Sequence, residues 1–398
     1  MSSIEEPVPE CTYITTKTGL EAVERSLEKA ESAALDTEAD SLHHYHQKVC
    51  LIQLNVEGSI FIVDPLASID LSEFFTLLSQ KRLILHGADY DLRILRRDFG
   101  FSPAQVFDTM LALQLLGYEN LGLASLVEHH CGVRLSKSGQ KLDWSKRPLS
   151  PRMLLYAGND VRYLPELSAK LEQELRVAGR RQWHRECCEH LLSISFPPAR
   201  DPEKAWRIKG SSALSGREKA MVKTLWFWRE HEASRADVPC FKILNDEQLL
   251  ALALWAAGVE SSSPGGYPLL PRSLKSPRRL TSLEEAIRKA KALSPREWPR
   301  PLKKKHGIQR NVDGESLGRL KEVRDTIALS FELTPSILAP QRALSLIASE
   351  KPSTREEMSR ISGLLDWQVE ILYEEFHRAL TGEGRKERRA PRTTGKRT

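Results

Sequence analysis

The sequence has no apolar run that approaches the about 20 consecutive residues needed to span a bilayer. Residues 1–10 are acidic and contain proline, whereas a signal peptide begins with basic residues and continues with an apolar stretch. Cysteine is scarce, at six residues, and no two cysteines form a Cys-x-x-Cys pair. In a chain of this size that usage indicates reduced thiols, so we predict a cytoplasmic protein with no membrane partner.

Neither sign of charge dominates the chain, and its net charge is only +6. A basic balance of this size favours polyanionic partners, but many proteins that bind none are equally basic. With 398 residues, of which 40% are hydrophobic and 28% charged, the chain is expected to form two or three globular domains. Composition therefore permits nucleic-acid binding without establishing it.

The first part of the chain, residues 1–195, is predicted to be an α/β domain. Short apolar runs predict strands at residues 33–35, 49–56, 59–63 and 82–86. Helical periodicity predicts helices at residues 71–78, 92–99, 105–116 and 121–130, and from residue 151 onward with interruptions to 192. A hairpin of strands followed by helices indicates a mixed sheet with helices packed around it.

The second part of the chain is predicted to be entirely helical. Helices are expected at residues 216–235 and 246–257, and again at 316–331, 340–349, 354–361 and 365–380. Each set contains an Arg-bearing helix, a Pro-containing connection that ends in Ile-Leu, and a further apolar helix, which favours a duplicated module. We predict units at 210–297 and 314–384, a basic linker at 298–313 and a disordered basic tail at 385–398.

One predicted helix carries a phenol and a carboxylate on the same face. Ser150 is a suitable N-cap and Pro151 suits the first helical position. Tyr156 and Asp160 are four residues apart, so they lie one above the other. A Tyr–Asp hydrogen bond inside a core would explain this pair if it stood alone.

Three further carboxylates upstream change that interpretation. Asp36 and Glu38 are two residues apart at the end of a buried strand, so they project from the same face. Asp91 follows a separate strand at the start of a helix. If a compact domain brings these carboxylates to Asp160, their mutual repulsion requires cations. All-oxygen ligation suits Mg²⁺ or Mn²⁺, and two such ions about 3.5–4 Å apart catalyse in-line attack on phosphodiesters.

The four carboxylates and the tyrosine lie in three sequence motifs that resemble those of a known superfamily. Asp36-Thr37-Glu38, the segment His86-Gly87-Ala88-Asp89-Tyr90-Asp91-Leu92, and Tyr156-x-x-x-Asp160 resemble the exonuclease motifs of the DEDD superfamily in its Tyr-containing branch. Surrounding motifs narrow the resemblance to the ribonuclease D family: Leu51-Ile52-Gln53-Leu54, Val63-Asp64-Pro65-Leu66, Phe107-Asp108-Thr109, Leu142-Asp143-Trp144 and Arg147-Pro148-Leu149. The resemblance covers residues 12–195. The helical units resemble the HRDC modules of the same family, the second more distantly.

The resemblance implies a ribonuclease H-like exonuclease domain followed by all-α HRDC-like domains. It implies 3′→5′ hydrolysis of RNA to nucleoside 5′-monophosphates, with tRNA precursors as expected substrates and the helical units gripping RNA. Motif matching assigns two divalent metal ions, Mg²⁺ or Mn²⁺, to four ligands and makes Tyr156 the residue that orients water. The expected ligands are Asp36, Glu38, Asp91 and Asp160.

Alternatives remain open on the sequence alone. The same chemistry would serve a 3′→5′ DNA exonuclease acting on single strands, since no residue reveals recognition of the 2′-hydroxyl. A non-catalytic RNA-binding scaffold is disfavoured because all five site residues are present. A metal site at His43, His44 and His46 is disfavoured because supporting carboxylates are not suitably spaced. Basic residues in a polar loop are as consistent with phosphate binding as with a solvated face: Lys137, Lys141, Lys146 and Arg147.

Overall fold

A computed structural model describes residues 11–136, 139–194, 201–300 and 313–381. The first part of the chain is an α/β domain, as predicted. Its strands are β1 (Cys11–Ile14), β2 (Ser32–Ala39), β3 (Val49–Val56), β4 (Ser59–Val63), β5 (Arg82–Leu85) and β6 (Gln105–Asp108). Its helices are α1 (Lys17–Lys29), α2 (Ser72–Ser79), α3 (Asp89–Phe99), α4 (Thr109–Leu116), α5 (Leu123–Cys131), α6 (Pro151–Arg162), α7 (Leu164–Val177) and α8 (Arg181–Ile194).

The six strands form one mixed sheet in the order β1-β4-β3-β2-β5-β6. The central strands β2, β3 and β4 pair antiparallel, while β1 with β4, β2 with β5, and β5 with β6 pair parallel. Both faces of the sheet are covered, so β3 is buried along its whole length. This is why residues 49–56 read as a continuous apolar run rather than an alternating one.

In the α/β domain, one predicted element is wrong and two elements are missing from the prediction. The predicted helix at residues 105–116 is a strand followed by a helix, because Asp108 ends β6 and its carboxylate caps α4 by accepting from Met110 N–H at 2.8 Å. A short apolar run does not distinguish a buried strand from a helix, which explains the error. Strand β1 and helix α1 were not predicted.

The second part of the chain is helical, as predicted. Its helices are α9 (Pro202–Ala205), α10 (Gly216–Ala236), α11 (Cys240–Ile243), α12 (Asp246–Gly258), α13 (Pro277–Ala292), α14 (Gly314–Ser330), α15 (Pro335–Leu338), α16 (Gln341–Glu350), α17 (Arg355–Ser362) and α18 (Asp366–Thr381). In the described residues, no helix is long and apolar enough to cross a membrane. The predicted tail at 385–398 and most of the predicted linker at 298–313 lie outside the described residues.

The two helical units differ in how they pack. Helices α10 to α13 surround a core of their own, in which Trp226 and Trp228 are buried. Helices α14 to α18 instead share one apolar cluster with α4, α5 and α7 of the first domain. Trp367 stacks on Trp183 with ring centroids 4.7 Å apart, and Arg180 donates to the Phe331 carbonyl at 2.7 Å. The second unit is therefore continuous with the α/β domain rather than a detached module.

Arg147 fastens the loop of residues 139–147 to the sheet. Its guanidinium donates to both oxygens of the buried Asp64 carboxylate, at 2.6 and 2.7 Å. It also donates to the carbonyls of Cys50 and Trp144, at 2.8 and 2.7 Å. Tyr13 donates to the same carboxylate. Of the basic loop residues considered for phosphate binding, Arg147 is thus committed to structure, and Lys137 lies outside the described residues.

We expect Arg147→Ala to lower the free energy of unfolding by about 2–4 kcal/mol, because it leaves the Asp64 carboxylate buried without its counter-charge. Urea unfolding of the full chain measures this loss. Lys146→Ala is the matched control in the same loop, since its ammonium is exposed and 3.7 Å from Asp143. That control should change stability by less than about 0.5 kcal/mol, and equal losses in the two variants would contradict the assignment.

Candidate active site

Strand β2 and helix α6 bring three of the predicted carboxylates together. Asp36 and Glu38 alternate with Thr37 along β2, so the two acids share the face that lies beneath α6. Oxygens of Asp36, Glu38 and Asp160 all lie within 4.8 Å of one another. The register of β2 against β3 shifts between Glu38 and Ala39, and the strand ends at that point. The site therefore sits where the central strand leaves the sheet.

Helix α6 is held in place by its cap and by its apolar face. The Ser150 hydroxyl accepts from Met153 N–H at 3.3 Å, and Pro151 occupies the first turn, as predicted. Ala157 and Val161 are fully buried on the face that meets the sheet. Tyr156 and Asp160 lie on the same side of the helix, and the Tyr156 hydroxyl donates to the Asp160 carboxylate.

Asp91 lines the same cleft but does not belong to the set of three oxygens. It is buried in the first turn of α3, and the Thr37 hydroxyl donates to its carboxylate. Asp89, the other acid of this motif, is exposed and forms an ion pair with Arg93. Of these two acids, Asp91 is therefore the one at the cleft. Its carboxylate is hydrogen-bonded to Thr37 and is not part of the group formed by the other three carboxylates.

Burial and mutual repulsion disfavour ionisation of this cluster. Burial, followed by the charges of Asp91 and Asp160, raises the pKa of Asp36 well above its ordinary value. Burial and the same two neighbours raise the pKa of Glu38 to about 9. Burial raises the pKa of Asp91 to about 6, against the opposing effect of its hydrogen bond from Thr37. Burial and the adjacent carboxylates also raise the pKa of Tyr156, so its phenol stays protonated.

A cation would relieve this repulsion, and the donor set fits a hard divalent ion. Every side chain in the cluster offers oxygen, which is the donor that Mg²⁺ and Mn²⁺ prefer. No sulfur or imidazole ligand joins the cluster among the described residues. The site is therefore suited to binding a divalent metal.

The cluster opens into a cleft of about 490 Å³ with a mixed lining. Leu42 and Tyr90 stand at its rim with 43% and 40% of their surfaces exposed. A second cavity, of about 230 Å³, shares Tyr156 and Asp160 with the first and is also lined by Arg152 and Asn159. Tyr90 lies within one of the sequence motifs, whereas Leu42, Arg152 and Asn159 were not singled out, because the role of these three depends on position and not on residue type.

Asp108 braces the segment that carries Asp91. Its carboxylate accepts from the backbone N–H groups of Gly87 and Ala88, each at 2.9 Å, in addition to capping α4. Met110 packs so closely that a side chain at Gly87, whose φ is +75°, would lie 2.2 Å from its terminal carbon. The positive φ therefore favours glycine at this position, and any larger residue would also require the flexible end of Met110 to shift.

The histidines at residues 43–46 form a contact between domains. His44 Nδ1 lies 2.6 Å from Asp237 at the end of α10, and His44 Nε2 lies 2.9 Å from the Ser145 hydroxyl. The backbone N–H groups of Tyr45 and His46 also donate to Asp237. The hydrogen bond from His44 lowers the pKa of Asp237 to about 2. The sequence carried no signal for this contact, because its partners are far apart along the chain.

Both parts of the chain match known protein families. Residues 11–176 match the family described as 3′–5′ exonuclease, and residues 218–255 and 313–380 match the HRDC domain. The chain is 30% identical to ribonuclease D of Gluconacetobacter diazotrophicus over 348 residues, which are 86% of this chain and 87% of that protein. It is 35% identical to ribonuclease D of Zymomonas mobilis over 295 residues, which are 72% of this chain and 74% of that protein.

Solved structures share the fold over nearly the full length. The crystal structure of ribonuclease D from Escherichia coli, described as an exoribonuclease involved in structured RNA processing, superposes with a TM-score of 0.71 at 25% identity. It covers 94% of this chain and 99% of that one. A protein from Bifidobacterium adolescentis superposes with a TM-score of 0.78 at 24% identity, covering 96% and 99% of the respective chains. That second likeness shows the fold alone.

We expect the thermal stabilisation by Mg²⁺ to increase between pH 6 and pH 9. In the absence of metal the folded site retains a proton on Glu38 up to pH about 9, whereas the unfolded chain loses it near 4.5. Protonation thus stabilises the metal-free fold at low pH, and this contribution is lost as pH rises towards 9. Metal must displace the same protons, so it binds more tightly at high pH. Calorimetric unfolding with Mg²⁺ and with EDTA measures the difference.

Asp36→Asn serves as the control for this measurement. It should remove the Mg²⁺-dependent shift of the unfolding temperature at both pH values, because it replaces one carboxylate of the acidic cluster with an uncharged amide. An equal shift at both pH values in the unsubstituted chain, or a larger one at pH 6, would contradict the assignment of the raised carboxyl pKa values to the metal site.

Proposed function

The chain belongs to the ribonuclease D family and is a 3′→5′ exoribonuclease, and we propose that its acidic cluster holds two divalent ions, Mg²⁺ or Mn²⁺, for this reaction. The observation that carries the proposal is the convergence of Asp36, Glu38 and Asp160 in an open cleft. We assign Asp91 as the fourth ligand, since it faces the same cleft. Bound ions would supply activation of water and stabilisation of the leaving oxygen.

Tyr156 is proposed to orient the attacking water. Its raised pKa keeps the hydroxyl protonated, so it cannot serve as a base near neutral pH. A protonated phenol can still accept a hydrogen bond from water while donating to Asp160. The tyrosine therefore fixes the water's position, and fixed geometry of this kind contributes substantially to rate.

The rim of the cleft is proposed to hold the 3′-terminal nucleotide. Tyr90 offers an exposed aromatic face on which a base can stack, and Leu42 offers an apolar contact. The second cavity lies next to Tyr156 and contributes the Arg152 guanidinium, which suits a phosphate, and the Asn159 amide. Together these features accommodate a single strand that ends beside the acidic cluster.

The helical units are proposed to add affinity for structured RNA. We propose domain bounds of 1–195 for the exonuclease, 210–297 for the first HRDC domain and 314–384 for the second, with a linker at 298–313 and a tail at 385–398. Around α13 the first unit exposes Arg272, Lys275, Arg288 and Lys289. Such cations bind phosphates without reading sequence. We therefore propose structured RNAs, such as tRNA precursors, as the physiological substrates. The Escherichia coli enzyme is likewise described as taking part in structured RNA processing.

We expect the full chain to shorten a 5′-labelled RNA single strand from its 3′ end with Mg²⁺ or Mn²⁺, to lose this activity in EDTA, and to act more weakly on matched DNA. A gel ladder with both labelled strands measures all three. Asp36→Asn should reduce the rate by more than about 100-fold, since even the outer partners of metal ligands are worth about 10–100-fold. Faster cleavage of DNA would favour a DNA exonuclease, and RNA binding without any cleavage would favour the scaffold.

We expect Tyr156→Phe to lower kcat by about 100-fold with little change in KM, because it removes the hydroxyl that positions water but keeps the ring. Steady-state kinetics on a short RNA oligonucleotide measure both constants. Tyr118→Phe is the matched control, since that hydroxyl bonds Glu174 at 2.9 Å, outside the cleft lining. An unchanged kcat in Tyr156→Phe would refute the proposed role.

A further inference from the structure

A buried amide without a partner lies beside the acidic cluster. Gln53, in the centre of β3, has no exposed surface. Neither its amide nitrogen nor its amide oxygen has a hydrogen-bond partner in the part of the chain that the structure describes. Buried polar groups are nearly always paired, because leaving one unpaired costs the full penalty of its desolvation. This amide therefore calls for an explanation.

The register of the sheet places Gln53 next to Asp36. The two residues are direct partners across the antiparallel pair of β3 and β2. Side chains of such partners project from the same face, with Cβ atoms about 4.5–5.5 Å apart. The partner of Gln53 on its other side, across β4, is the apolar Ile62. Asp36 is thus the one polar side chain among its two direct cross-strand partners.

A comparison within the same strand shows that a polar side chain on this face can be fully paired. Asn55 lies two residues further along β3 and so projects from the same face. Its amide nitrogen donates to the carbonyls of Val161 and Arg162 at 3.4 and 3.0 Å, at the end of α6. Its amide oxygen accepts from Gly58 N–H at 2.9 Å. Asn55 therefore serves the fold, whereas Gln53 makes no such contact.

We propose that Gln53 is a positioning residue for Asp36: when Asp36 is ionised around a bound cation, the Gln53 amide donates a hydrogen bond to its carboxylate and fixes its ligating orientation. The reach of the glutamine side chain from an adjacent Cβ is sufficient for this contact. Groups that hydrogen-bond a ligating carboxylate orient it and are worth about 10–100-fold in metal affinity or activity. This inference rests on the proposed metal-dependent function.

The test substitutes Gln53 with Met, which keeps the length and approximate volume of the side chain and removes its polar atoms. The full chain is used for three measurements: unfolding temperature in EDTA, Mn²⁺ affinity by calorimetry, and kcat on single-stranded RNA. We expect Gln53→Met to leave the unfolding temperature in EDTA unchanged or raised, because an unpaired polar group is removed. Mn²⁺ affinity and kcat should each fall about tenfold or more.

Asn55→Leu is the matched control, and Gln53→Leu repeats the test should the methionine variant fail to fold. Asn55→Leu should lower the unfolding temperature in EDTA and leave the Mn²⁺ affinity of the folded protein unchanged. Mn²⁺ affinity and kcat of the Gln53 variants within about twofold of the unsubstituted chain would overturn the proposal. A lowered unfolding temperature in EDTA for both Gln53 variants would also overturn it, because the amide would then be paired in the metal-free fold.

Failure of the proposed function would look different. If the unsubstituted chain bound Mn²⁺ and did not cleave RNA, the proposed function would be wrong. The Mn²⁺ affinities of the two Gln53 variants would still test the role of the amide. Asp36→Asn supplies the baseline for a site that has lost one ligand.

Discussion

The repulsion among three carboxylates held within 4.8 Å of one another is the constraint on which the rest of the structure depends. Such a cluster would separate unless the backbone that carries it were rigid. Two of the acids lie on the central strand of a six-stranded sheet, and the third lies on a capped helix packed against that sheet. Burial, followed by the same repulsion, raises the pKa values of Asp36 and Glu38, and bound cations would relieve that repulsion.

Hydrogen bonds from the surrounding polar groups hold the segments that carry or border the acidic cluster. Thr37, on the opposite face of β2, holds Asp91, and Asp108 holds the backbone segment that leads to Asp91. On the other side, Arg147 ties the loop of residues 139–147 to Asp64. These groups are satisfied in the metal-free fold, so they stabilise the site before any ligand binds. Gln53 stands apart from them because its amide remains unpaired.

The helical units contact the exonuclease domain at two separate places. The first meets it through Asp237, which accepts hydrogen bonds from the segment of residues 44–46 shortly after β2. The second meets it through a stacked pair of tryptophans and shares its apolar cluster. Removing the second unit would expose Trp183 and its neighbours to water, which is unfavourable. The helical half therefore contributes to the fold of the chain as well as to its proposed hold on RNA.

The sequence by itself determined the class of fold, the helical second half and the family, because strand patterns and ordered motifs are local properties of the chain. It also determined the shared faces of Asp36 with Glu38 and of Tyr156 with Asp160, since the periods of strand and helix fix them. It did not distinguish β6 from a helix, because a short apolar run fits both.

Only the tertiary structure decided which groups are committed to partners distant in sequence. Arg147 could have bound phosphate and His44 could have bound metal, and each instead pairs with a carboxylate from another element. The isolation of the Gln53 amide likewise depends on every neighbour that packs around it. These outcomes follow from contacts between distant segments, and side-chain type and spacing along the chain do not encode such contacts.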